Sequence, residues 1–184
     1  MNGIKQKTRD MAYIALFVVV MAVCAWITVP SVVPFTLQTL GVFLAVGILG
    51  GKRGTIAVAV YLLMGAVGLP VFSGFTGGIG QFFQITGGYL LGFLLCAAVC
   101  WAMEAAFGQK PLILACSMTL GLIVCYAFGT AWYMFLYAQT SGAMGIGTML
   151  VSCVYHFVLP DVAKIALALL LCRRLGPIVN KKSL

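Results

Sequence analysis

Six apolar runs divide the chain, at about 11–29, 39–50, 55–68, 86–107, 112–137 and 148–172. A helix needs roughly 20 apolar residues to cross hydrocarbon, and the first, fourth, fifth and sixth runs reach or approach that length. The second and third are short. They are expected to borrow flanking residues, or to run as tilted and broken helices buried in protein. The pattern therefore predicts six transmembrane helices in a single membrane domain covering 1–184.

The polar positions between the runs sharpen this topology. Lys5, Lys7 and Arg9 precede the first run, and Lys52 and Arg53 separate the second from the third. Glu104 lies at the end of the fourth and Lys110 between it and the fifth, and Arg173, Arg174, Lys181 and Lys182 follow the sixth. The other connections, 30–38, 69–85 and 138–147, carry no charge. Basic residues collect in cytoplasmic loops, so this alternation places both termini on the cytoplasmic side. Ten of the eleven basic residues then lie on that side, and Lys164 is the eleventh.

Composition removes the soluble classes. The chain is 63% hydrophobic and 8% charged, with a mean hydropathy of +1.14, too little charge for a water-facing surface. It reads as an all-α, multi-pass integral membrane protein with lipid as its surroundings. The net charge of +8 suggests no nucleic-acid partner, because the basic residues form short clusters between runs and no face. The run from Met11 to Val29 is long enough to span, and no small-residue cleavage site closes it, so it reads as a helix and not as a cleaved signal. Cys24, Cys96, Cys100, Cys116, Cys125, Cys153 and Cys172 all lie in apolar runs, and His156 is the only histidine. Cys96 and Cys100 have the one metal-like spacing. No metal or cofactor is expected, since soft-metal sites need three or four convergent ligands.

The candidate chemistry is in two places. "FVLPDVAKIAL" (157–167) puts Asp161 and Lys164 on one helix face in an apolar run. Asp161 precedes Arg173 by twelve residues, about 18 Å along a helix, which is near mid-membrane or somewhat outward of it. Charges at that depth are costly and normally face a bundle interior or a wet cavity. The pair is either a ligand or ion site or a self-neutralising contact between helices. Pro160 removes a helical hydrogen bond and frees a carbonyl one turn back, near His156. The second place is "GLPVFSGFTGGIGQFFQITGGYLLGF" (68–93). It lacks a P-loop, and Phe83 stands where GxGxxG needs its third glycine. Its glycines allow sharp bends and close approach. Phe72, Phe75, Phe82, Phe83 and Tyr89 offer flat apolar faces, and Ser73, Thr76, Gln81, Gln84 and Thr86 offer neutral hydrogen bonds. Such a loop suits a small uncharged ring system, or serves as an interfacial aromatic belt. The connection before the second run adds Thr36, Gln38 and Thr39, with Pro30 and Pro34 fixing its backbone.

"VPFTLQTLGVFLA" (33–45), the 68–93 block and "PDVAKIALA" (160–168) together resemble the signature blocks of the BioY family, colinearly over nearly the whole chain. BioY proteins are the biotin-specific substrate-binding S-components of energy-coupling factor (ECF) transporters. The resemblance implies the six-helix S-component fold with an outward vitamin pocket, and high-affinity capture of biotin as transported ligand. It implies docking on a transmembrane scaffold protein driven by two cytoplasmic ATPases, in a bacterial or archaeal cell membrane, with no catalysis by this chain. Carried over by motif, Asp161 and Lys164 match the family's DxxK pair, Thr36 and Gln38 its TLQ block, and Gly77, Gly78 and Tyr89 its glycine-rich block. Phe75, Thr76 and Gln84 complete the expected biotin site. In that reading Asp161 accepts a ureido N–H and Lys164 donates to a polar oxygen of biotin. The chain departs from the family where Gln84-Ile85-Thr86 replace the usual Gly-Pro-Thr before Gly87. The small-residue spacing that S-components often carry on their first helix occurs here instead at Ala98, Ala102 and Ala106 and at Ala127 and Ala131.

Three other functions compete. An S-component for thiamin or riboflavin differs in binding selectivity. A proton-coupled small-molecule carrier would use Asp161 as relay. A membrane enzyme would need more than three acids, two of which, Asp10 and Glu104, sit at the cytoplasmic edge. Action without partners, as a homo-oligomer, is a variant of the main reading.

Overall fold

The computed structural model describes residues 2–29, 35–141 and 156–179. Pro30, Pro34, the stretch 142–155 with Cys153, and Lys181 and Lys182 lie outside the described residues, as does the side chain of His156.

Helix α1 (Asn2–Trp26) begins well before the apolar run at Met11, because Lys5, Lys7 and Arg9 are good helix formers that extend the helix past the hydrocarbon. Two short strands follow, β1 (Thr28–Val29) and β2 (Phe35–Thr36), antiparallel with Thr28 opposite Thr36 and Val29 opposite Phe35. Helix α2 (Gln38–Leu49) and helix α3 (Gly51–Ala66) are separated by Gly50 alone. That reversal needs the φ of +86° at Gly50, which a side chain disfavours. Lys52 and Arg53 therefore sit in the first turn of α3. Two 3₁₀ turns, Ser73–Phe75 and Ile79–Phe83, fill the connection to α4 (Gly87–Phe107). Helices α5 (Pro111–Ser141) and α6 (His156–Val179) complete the described chain. Pro160 stays inside α6, where the carbonyl it frees belongs to the first residue of the helix.

Among the described residues three helices are long and apolar enough to cross a membrane, over Ile4–Trp26, Gly87–Phe107 and Pro111–Gln139. Helix α6 matches them in length at 24 residues and carries the internal charges. The short α2 is apolar all round, and nine of its residues are buried, as expected of a helix enclosed by its neighbours. It packs on α1, α3, α4 and α6. Phe43, Val46, Ile48 and Leu49 from α2 meet Met21 of α1, Val58 of α3 and Met118 of α5 in the core.

The two ends differ in chemistry. The basic end holds the start of α1, the Gly50 reversal, the α4–α5 turn and the end of α6. Arg53 pairs with Asp10 there at 2.9 Å. Glu104 caps α3 by accepting the Gly51 N–H at 2.5 Å and also accepts from Gln109 at 2.5 Å. The opposite end holds the hairpin and the 3₁₀ turns, in the stretches that carry no charge. Ala98, Ala102, Ala106, Ala127 and Ala131 are all exposed on the bundle surface.

Candidate functional site

A cavity of about 230 Å³ opens at the charge-free end. Every wall comes from a different part of the chain. The hairpin and the start of α2 supply Thr36, Gln38 and Thr39; the 3₁₀ region supplies Phe72, Ser73, Thr76, Gln81 and Gln84. Helix α4 with its N-terminal flank gives Thr86, Tyr89, Leu90 and Phe93, α5 gives Cys125, and α6 gives Phe157, Asp161 and Lys164.

Asp161 and Lys164 form the polar base. They lie one turn apart on α6 and join at 2.7 Å, with only 2% and 6% of each residue exposed. Neither charge depends on the other alone. Lys164 Nζ donates to the Thr36 carbonyl at 2.6 Å, to Thr39 Oγ1 at 3.0 Å and to Asp161 Oδ1, which uses all three ammonium protons. The Phe35 ring lies 4.2 Å from the same nitrogen, close enough for a cation–π contact. Thr39 Oγ1 donates to Asp161 Oδ1 at 2.9 Å, and Tyr126 of α5 donates to Oδ2. Buried charges are tolerated on these terms, paired and fully hydrogen-bonded.

The second polar cluster joins α2, α3 and the loop. Thr36 Oγ1 accepts the Gln38 backbone N–H at 3.3 Å and donates to Gln38 Oε1 at 3.0 Å, a local side-chain turn at the entry to α2. Gln38 Nε2 donates to Tyr61 Oη at 2.8 Å, and Tyr61 Oη donates to the Val71 carbonyl at 2.9 Å. The second amide proton of Gln38 has no partner among the described residues. The side chains of Gln81, Gln84 and Thr86 also line the cavity, and none of them hydrogen-bonds to another described residue. Phe72 forms an apolar wall, edge-on to both Tyr61 and Phe82. It seats there because residue 65 is glycine: a Cβ at Gly65 would lie inside the Phe72 ring.

Of the residues proposed from sequence, Asp161, Lys164, Thr36, Gln38, Thr76, Gln84 and Tyr89 line this cavity. Phe75, Gly77 and Gly78 do not. Phe75 points away, 64% exposed, and stacks on Trp26 at 5.0 Å. Trp26 is fixed in turn by its indole N–H to the Pro70 carbonyl at 2.9 Å. Gly77 is a packing glycine, since a Cβ there would strike the Leu69 carbonyl. Gly78 turns the chain at φ +100° and donates its N–H to the Gly65 carbonyl at 2.7 Å. Between these two phenylalanines of the loop, the one that faces the cavity is Phe72, three residues earlier. Phe35 and Tyr126 were not among the candidates, and Thr39 was named as a neutral polar group but not placed in the biotin site. Thr39 had a signal, a hydroxyl one residue past Gln38, whereas Tyr126 sits in an apolar helix and resembles core.

A cavity of about 330 Å³ also opens at the basic end, between the ends of α2, α4 and α6 and the start of α5. Its carboxylate, Glu104, is occupied in capping α3. Among the described residues no group of three or more metal-ligating side chains gathers.

The chain is similar to known proteins over most of its length. The BioY family model matches residues 1–181. The chain is 39% identical to a protein named biotin transporter BioY from Thermotoga maritima, covering 91% of this chain and 95% of that one. It is 34% identical to the probable biotin transporter BioY of Pyrococcus horikoshii, with 92% and 97% covered. A crystal structure of the S-component for biotin from an ECF-type ABC transporter superposes with a TM-score of 0.82 at 27% identity, over 97% of this chain and 94% of that one. The six-helix membrane bundle, the cavity at its charge-free end and a match over nearly every residue lead to one conclusion: the chain belongs to the BioY family.

Proposed function

We propose that this chain is the substrate-binding component of an ECF transporter and takes up biotin across the cell membrane. The observation that carries the reading is the buried, charge-balanced Asp161–Lys164 pair at the base of a neutral, amide-rich and aromatic cavity. Biotin's bicyclic ring is compact and uncharged. Its ureido edge presents two N–H donors and one carbonyl acceptor, and the cavity offers a carboxylate, an ammonium and free amide groups. Phe72, Phe93, Leu90 and Phe157 supply the apolar cover.

In this reading Asp161, Lys164, Thr36, Gln38, Thr76, Gln84 and Tyr89 form the biotin site. Lys164 reaches the ligand by exchanging one of its present acceptors for a ligand oxygen. The whole chain acts as one membrane domain, with the basic end and both termini cytoplasmic. It binds and releases without catalysing a reaction. The energy comes from a scaffold protein and two ATPases, and release follows from a conformational change with different affinity for the ligand.

The test is selective binding followed by transport. The purified protein is titrated with biotin, thiamin and riboflavin, then reconstituted with and without scaffold and ATPases. Binding of biotin alone, with uptake that needs ATP and withstands an uncoupler, supports the proposal. Binding of another vitamin, or uncoupler-sensitive uptake without ATPases, refutes it. Protease removal of terminal tags from one side only checks the orientation.

A further inference from the structure

Asp161 makes more hydrogen bonds than a ligand-binding carboxylate needs. An ionised carboxylate has about four acceptor positions. Oδ1 takes two donors, Thr39 Oγ1 at 2.9 Å and Lys164 Nζ at 2.7 Å, and Oδ2 takes one, Tyr126 Oη. Among the described residues no further donor reaches the carboxylate, which leaves one position, on Oδ2. The three donors come from α2, α6 and α5, so the carboxylate plane is fixed from three directions. Only one of those directions belongs to the helix that carries Asp161. Tyr126 does not line the cavity itself.

We propose that Tyr126 is a positioning residue, which fixes the Asp161 carboxylate so that a single acceptor position on Oδ2 faces the cavity and selects a ligand edge presenting one N–H there. The inference rests on the reading of this cavity as the ureido site. It adds that the second ureido N–H and the carbonyl are read elsewhere, by the uncommitted amides of Gln81 and Gln84 or the hydroxyl of Thr86. Without the Tyr126 hydroxyl the carboxylate is held through Oδ1 alone, by Thr39 and Lys164, and Oδ2 loses the donor that sets the tilt of its plane. Its open position is then no longer aimed at the ligand.

The sequence allows a direct test, because Asp10 and Asp161 are the only aspartates. Protein labelled with ¹³C at the aspartate carboxyl carbon gives two resonances, and the one removed by Asp161→Asn is that of Asp161. Tyr126→Phe keeps the ring and removes only the hydroxyl. Three results are expected for Tyr126→Phe. The Asp161 resonance shifts in unliganded protein while that of Asp10 stays. The melting temperature without ligand holds within a few degrees. The Kd for biotin rises about ten- to a hundredfold, the loss typical of a hydrogen bond to a charged group. An unmoved Asp161 resonance, or a Kd within about twofold of wild type, overturns the proposal. Wild-type protein that binds no biotin overturns the function instead, and the resonance shift still tests the positioning.

Discussion

Lys164 on α6 donates to the backbone carbonyl of Thr36 across 2.6 Å, which ties the buried charge pair to the hairpin beside the cavity. The same ammonium holds Asp161 Oδ1 and Thr39 Oγ1. Occupancy of the site and the position of the hairpin are therefore linked through one side chain. A ligand oxygen that draws Lys164 from Thr36 loosens the hairpin, and one that draws it from Thr39 leaves the hairpin in place.

Removing one member of the pair is expected to harm more than removing both. Lys164→Met leaves Asp161 as a buried charge, a loss of about 3–5 kcal/mol in comparable buried pairs. Asp161→Asn leaves the ammonium uncompensated. The double variant Asp161→Asn/Lys164→Met should melt closer to wild type than either single variant and still bind no biotin. Melting curves and equilibrium binding check this. A double variant that binds as wild type does would make the pair structural only.

Tyr61 is expected to control how long the ligand stays. Its hydroxyl joins Gln38 of α2 to the Val71 carbonyl of the loop. Tyr61→Phe strands buried polar groups at both ends, each loss worth about 1–3 kcal/mol. The release rate of labelled biotin should rise about five- to a hundredfold by the same arithmetic. An unchanged release rate would show that the link does not hold the bound state.

The two phenylalanines of the loop should separate cleanly. Phe72 is 2% exposed and lines the cavity, whereas Phe75 is 64% exposed and lies outside it. Phe72→Ala should abolish tight binding. Phe75→Gly should leave the Kd within about threefold, since glycine relieves the φ of +59° at roughly the same cost as the lost Trp26 stack. Gly65→Ala should mimic Phe72→Ala, because its methyl displaces that ring.

Glu104 should affect stability without affecting affinity. It caps α3 at the basic end, on the far side of the core from Asp161. Glu104→Ala is expected to destabilise by about 1–2 kcal/mol, the usual loss on removing a helix cap. Biotin Kd should be unchanged in calorimetry on the folded protein. A weakened Kd would mean that the Gly50 reversal communicates with the cavity.

How much of this the sequence revealed depends on how rare each signal is in an apolar background. Asp161 and Lys164 were legible because two charges inside an apolar helix need a reason. Thr36 and Gln38 were legible as polar groups beside the start of a short apolar run. Tyr126 carried no such mark: a tyrosine on a long apolar helix looks like packing, and only the approach of α5 to α6 gives its hydroxyl a partner. The loop resisted for a different reason. A glycine-rich stretch has no helical or strand period to say which aromatic faces inward, so Phe72 and Phe75 were indistinguishable and Gly77 and Gly78 looked like ligand contacts. The enclosed α2 was foreseeable, since a 12-residue apolar helix is too short to face lipid along a full crossing.

The central claim is tested most directly by calorimetric titration with biotin, using protein from biotin-starved cells so that the site starts empty. The expected result is saturable binding near one-to-one with a Kd well below about 1 μM, more than roughly 8 kcal/mol, lost in Asp161→Asn. A flat titration with biotin while another vitamin gives heat would contradict the assignment of the site. Wild-type affinity in Asp161→Asn would contradict the role given to the buried pair.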